Sequence, residues 1–135
     1  LDTNALIRAQ LDRDLGSEAR SAIQAAQEEG GILVSVVSAW EIGLLARNRQ
    51  SPTGQLFQPD AGAWFENVLR APGVRTAPMT HQIALAAWTL PEPIHGDPAD
   101  RLMIAVARAL DVPIVTRDRA ILDYAAAGHV RAIAC

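Results

Sequence analysis

The chain has 135 residues, a net charge of −3 and one cysteine, Cys135, with half of its residues hydrophobic and a fifth charged. This size and balance predict a single globular domain with an adequate core and no disulfide, and exclude a chain that binds nucleic acid by overall positive charge. All twelve basic residues are arginines, which excludes a lysine Schiff base or a P-loop lysine and argues against a phospho-receiver domain.

Short β-branched runs alternate with longer alanine- and leucine-rich stretches, so an α/β domain with a mainly parallel sheet is expected. Leu1–Asp2 reads as the end of a strand that begins before Leu1, followed by a helix over Ala5–Leu11. Ser17 is the expected cap of a helix running to about Glu29, stopped by Gly30-Gly31. Ile32–Ser35 is a buried strand, and a helix through Trp40, Glu41, Leu44 and Leu45 ends near Arg49. Gln50–Pro59 is expected to be a loop that exposes Phe57. Asp60 caps a helix carrying Trp64, Phe65, Val68 and Leu69, which Ala71-Pro72-Gly73 breaks before a weaker strand at Val74–Ala77. Thr80 caps a helix to about Trp88, and Leu90–Gly96 is a loop. Pro98 occupies the first turn of a helix over Ala99–Leu110. Val112–Thr116 is a strand, Arg119–Ala126 a short helix ended by Gly128, and Val130–Ala134 a last strand. No apolar run reaches the roughly 18–20 residues that span a bilayer, and no secretory leader pattern is visible. A cytoplasmic location with no membrane partner is therefore expected.

Four acids share one kind of position: Asp2, Glu41, Asp100 and Asp118 each follow an apolar strand or stand near the start of the next helix. In an open parallel sheet the carboxyl ends of the strands lie along one edge, where ligands bind. Such acids also serve as helix caps. Ser38-Ala39-Trp40-Glu41 reads as a capping box, Asp97-Pro98-Ala99-Asp100 as a weaker one with Asp97 as cap, Asp118 as the cap of the helix after it, and Asp2 as an Asx-turn. Gathered together, the same carboxylates repel unless a cation joins them, and oxygen-only ligands select Mg²⁺ or Mn²⁺. His81, His95 and His129 show no metal-ligand spacing, Ser35 and Ser38 lack a nucleophile-elbow frame, and Cys135 has no activating neighbour in sequence. On spacing alone, a metal site and a set of well-capped helices both stand.

The motifs add a resemblance. Leu1-Asp2-Thr3-Asn4-Ala5-Leu6-Ile7, Ser35-Val36-Val37-Ser38-Ala39-Trp40-Glu41-Ile42, the run from His95 to Ala105, and Val115-Thr116-Arg117-Asp118 resemble, in order, the four motifs of PIN-domain proteins of the VapC toxin type. The resemblance implies one PIN-like domain over 1–135, a three-layer fold with a central, mainly parallel sheet flanked by helices on both faces. It implies a Mg²⁺- or Mn²⁺-dependent endoribonuclease, the toxin of a toxin–antitoxin pair, with RNA as substrate, a cognate antitoxin as partner, and a homodimer. Carried over by residue, Asp2, Glu41 and Asp100 are the principal acidic triad and Asp118 the fourth acid, all catalytic and metal-binding. Asn4 and Thr116 are polar supports, and Asp97 is a cap or an auxiliary group. Arg101, Arg117 and Arg119, adjacent to motif acids, are candidate RNA contacts. Trp40, Leu44, Leu45, Leu56, Phe57, Trp64 and Phe65 are a candidate groove for an antitoxin helix. Two rival readings are a catalytically silent PIN-like binding module and another metal-dependent phosphohydrolase of the α/β class.

Overall fold

The computed structural model describes residues 1–29, 31–94 and 96–135. Helices α1 (Thr3–Gln10) and α2 (Ser17–Glu29) lead into strand β1 (Ile32–Ser35), which passes directly into α3 (Val36–Arg47). A single turn, α4 (Pro52–Gln55), precedes α5 (Ala61–Leu69), β2 (Val74–Ala77) and α6 (His81–Ala86). The chain ends with α7 (Pro98–Leu110), β3 (Ile114–Thr116), α8 (Arg119–Ala126) and β4 (Ala132–Ala134).

The strands form two parallel pairs. Ile32 to Ser35 lie opposite Val74 to Ala77, and Ile114 to Thr116 lie opposite Ala132 to Ala134. Leu1 and Asp2 sit between these pairs. The Leu1 amino group donates to the Leu33 carbonyl at 2.9 Å, and the Asp2 amide donates to the Val115 carbonyl at 3.0 Å. The two residues therefore take a strand-like place between β1 and β3, and Thr3 starts α1 at the same sheet edge. Beside Leu1, an apolar pocket of about 180 Å³ is lined by Leu33 of β1 and Val115 of β3, together with Ile23 of α2 and Met103 of α7.

Alternation along β3 builds the layers, because successive side chains of a strand point to opposite faces. Ile114 enters a core with Ile104 and Ala107 of α7 and Ile121 and Tyr124 of α8. Val115 enters a second core with Ala5 of α1, Leu15 of the α1–α2 connection and Ala19 of α2. Helices thus cover both faces, as expected for a three-layer α/β fold. A third core joins Leu6, Val34, Ile42, Phe65 and Val68 around Phe57. Phe57 corrects the reading of its segment: it is fully buried, with its ring 5.0 Å from Trp64 in an edge-on contact. The segment is not an open loop, since Ser51 caps α4 through the Gly54 amide at 2.9 Å and folds the chain back under α3. Close approach also fixes Gly31, whose φ is +115° and where a Cβ would stand 2.5 Å from the Gly73 carbonyl oxygen.

Among the described residues, no helix is long and apolar enough to cross a membrane.

Candidate active site

The sheet edge gathers the site from four directions. Asp2 precedes α1 with extended backbone and caps it: Oδ1 accepts from the Ala5 amide at 2.6 Å. Its Oδ2 accepts from the hydroxyl of Thr116, the last residue of β3. Thr116 is fully buried, and its Oγ1 accepts in turn from the Asp118 amide at 2.9 Å. Burial pushes the Asp2 carboxyl above its ordinary range; the Thr116 and Ala5 donors pull it back, and Asp118 pushes it further up.

Glu41 lies inside α3, well past its first turn. The capping-box reading of Ser38 and Glu41 is incorrect, because α3 starts three residues earlier than that reading requires. Ser35 is the cap, its Oγ accepting from the Val37 amide at 3.1 Å. Glu41 instead accepts at Oε2 from the hydroxyl of Thr3, at 2.5 Å. Burial raises its pKa, the Thr3 hydroxyl lowers it, and Asp97 and Asp2 raise it again. A capping role therefore does not account for this glutamate, which lines one pocket with Asp2.

Asp97 caps α7, its Oδ1 accepting from the amides of Ala99 at 2.8 Å and Asp100 at 3.3 Å. Asp100 follows in the first turn of α7. Asp118 caps α8, its Oδ1 accepting from Ala120 at 2.7 Å and Ile121 at 3.2 Å. Asp2, Glu41, Asp100 and Asp118 line one open pocket of about 290 Å³, together with Thr3, Asn4, Met103 and Arg117.

The donor chemistry fits a hard divalent cation: carboxylates from four elements, two of them with raised pKa, share one hollow. The pocket is open rather than a closed cage. Among the described residues, no three Asp, Glu, His or Cys side chains stand close enough together to hold a metal ion as placed.

The arginines separate. Arg101 reaches back to the C-terminal end of α6, donating to the carbonyls of Ala87 at 3.0 Å and Trp88 at 3.3 Å, with its guanidinium 5.9 Å from the Trp88 ring. Arg119 forms an exposed pair with Asp123 at 3.0 Å. Arg117 alone of the three lines the pocket. Asn4 is exposed at the rim, whereas Thr116 is buried beneath Asp2. His81 starts α6, His129 stacks on Tyr124 at 4.7 Å, and His95 lies outside the described residues.

Sequence reasoning missed Thr3 and Ser38. Thr3 is buried and Ser38 fully so, with their hydroxyl oxygens 2.9 Å apart. The available signal was position alone: Thr3 adjoins Asp2, and Ser38 stands one helical turn before Glu41.

The PIN domain family profile matches residues 1–127. The chain is 34% identical over 104 residues to Ribonuclease VapC22 of Mycobacterium tuberculosis (strain ATCC 25618 / H37Rv), covering 77% of this chain and 75% of that one. Its fold is similar to a chain in the crystal structure of VapBC2 from Rickettsia felis bound to a DNA fragment from their promoter. That match has a TM-score of 0.67 at 11% identity and covers 97% of this chain and 93% of the other.

Proposed function

Because this chain belongs to the PIN-domain family, we propose that it is a Mg²⁺- or Mn²⁺-dependent endoribonuclease acting at the acidic pocket, and the toxin of a toxin–antitoxin pair. The observation that carries this reading is the meeting of Asp2, Glu41, Asp100 and Asp118, which span nearly the whole chain, in one hollow. Asp2, Glu41 and Asp100 would hold the cation, with Asp118 as the fourth acid. Bound there, a divalent ion lowers the pKa of water and offsets charge on a phosphate. The protein's own contributions are positional. Thr116 and the α1 amide fix Asp2, Thr3 fixes Glu41, and the cap at Asp97 sets the first turn that presents Asp100. Arg117 offers a guanidinium at the rim for a phosphate flanking the cleaved bond. No histidine base is needed in this scheme.

The partner reading follows the apolar surface that the cores leave outside. Val36, Trp40 and Leu44 are exposed at spacings of four residues along α3, Trp40 by 60%, with Leu45 beside them. This stripe supports docking of an antitoxin helix or a second copy of the chain. Of the other members of the expected groove, Phe57 and Phe65 are core, and Leu56 and Trp64 are half-buried against it. A cytoplasmic location belongs to the same proposal.

The test is cleavage of RNA by the purified protein in Mn²⁺ or Mg²⁺, in EDTA, and after metal is restored, beside a small-ester phosphatase assay. Loss of cleavage in EDTA with recovery on adding metal is expected, and Asp100→Asn should abolish cleavage while the protein stays folded. Chelator-resistant cleavage, an undiminished Asp100→Asn enzyme, or phosphatase activity without RNA cleavage would overturn the reading.

A further inference from the structure

The two principal acids on α1 and α3 are held very differently. Asp2 has a donor on each oxygen and a short side chain at a helix cap. Glu41 sits inside a helix, where no backbone amide is free for it, and Glu has a long side chain with much rotamer freedom to lose. Its hydrogen bond is the one from Thr3 to Oε2. Thr3 is near both Glu41 and Ser38, yet a hydroxyl carries one proton. With that proton given to the carboxylate, the Thr3 oxygen accepts from Ser38.

We infer that Ser38 and Thr3 form a hydroxyl relay that positions Glu41 for metal binding, with Thr3 as the positioning residue and Ser38 as the group that sets its proton direction. The inference rests on the function proposed above. Ser38 and Glu41 are three residues apart, on one face of α3, so the helix itself presents both to Thr3. A fully buried serine inside a helix ordinarily returns its hydroxyl to a carbonyl of the preceding turn; this one meets a side chain from α1. Thr3 is joined to Asp2 by the backbone, so the start of α1 places one acid and orients another. The relay occupies Oε2 and leaves Oε1 for the pocket.

The experiment compares wild type with Thr3→Val, Thr3→Ser, Ser38→Ala, Glu41→Gln and Thr3→Val/Glu41→Gln. Each is measured by calorimetric Mn²⁺ titration, by kcat and KM for RNA, and by thermal melting. Loss of such an outer-shell partner typically weakens metal binding or activity by about 10- to 100-fold. Thr3→Val should show a loss of that order in Mn²⁺ affinity and kcat, with KM for RNA little changed. Thr3→Ser should restore both, Ser38→Ala should fall between, and Thr3→Val should add nothing on the Glu41→Gln background. If Thr3→Val unfolds the protein, Ser38→Ala and Thr3→Ser carry the comparison. Wild-type Mn²⁺ affinity in the folded hydroxyl-free variants, Thr3→Ser as impaired as Thr3→Val, or an equal further loss on the Glu41→Gln background overturns the relay while leaving the nuclease intact. A wild-type protein that takes up no Mn²⁺ and cuts no RNA overturns the function reading and the relay with it.

Discussion

Replacing Thr116 by valine keeps the shape of a fully buried side chain and removes one hydroxyl, so the effect is that of two hydrogen bonds. The bond to Asp2 involves a charged acceptor and is worth about 1.5–3 kcal/mol, and the Asp118 amide loses a partner worth about 1 kcal/mol because it lies near solvent. A destabilisation of roughly 2.5–4 kcal/mol is expected, which at this chain length lowers Tm by about 8–14 °C. The pH dependence fixes the cause. Burial raises the Asp2 pKa, so Asp2 favours the folded state while protonated, and that contribution is lost as pH rises through its folded pKa. The Thr116 donor offsets part of the loss by favouring the ionised form. Without the hydroxyl the pKa moves further up, and the deficit of Thr116→Val should widen from acid toward neutral pH. Urea denaturation of metal-free protein across that range is the assay, with Thr116→Ser as the control that keeps the donor. A deficit under about 0.5 kcal/mol, within the noise of ordinary surface substitutions, or one that does not grow with pH, refutes the reasoning.

Other substitutions should separate stability from function. Phe57→Ala should cost about 3–5 kcal/mol in denaturant, because a large ring leaves a cavity at the centre of its core; a loss below about 1 kcal/mol would contradict its burial. Arg117→Ala should raise KM for RNA and flatten its salt dependence without changing Tm, whereas Arg101→Ala should lower Tm through the freed end of α6 and leave KM alone. Trp40→Ser should leave unfolding unchanged within about 0.5 kcal/mol while weakening association with an antitoxin or a second copy, read by light scattering.

The alternation of β-branched runs with alanine-rich segments was enough to place the strands and most helices, because each element's period matches the face it buries. Legibility failed where one segment serves two elements. Ser35 ends β1 and caps α3, so no polar spacer marks the join, and the serine three residues later was read as the cap. Phe57 was misplaced for a related reason. Prolines and a glycine mark turns without saying which way the turn carries its aromatic ring, and here Ser51 starts a helical turn that sends the ring inward. The four acids were legible as a set through their motifs. Thr3 and Ser38 were not, since their role depends on α1 and α3 packing together, a contact that local pattern does not encode.

The cap and the site are one arrangement rather than rival explanations of the same acids. Asp2, Asp97 and Asp118 each use Oδ1 for helix amides, and a carboxylate has a second oxygen with its own lone pairs. Capping therefore fixes the side chain without exhausting it. The helices α1, α7 and α8 all begin at the sheet edge occupied by the pocket, so three positive dipole ends point toward the acids. Each favours negative charge by about 0.3–1 kcal/mol, which offsets part of the mutual repulsion of the gathered carboxylates. Glu41 has no helix start of its own there, and it is the acid held by hydroxyls instead. A parallel α/β sheet thus supplies at one edge both the carboxylates from distant parts of the chain and the helix-end fields that favour negative charge there, an arrangement suited to binding a divalent cation and a phosphate in the same hollow.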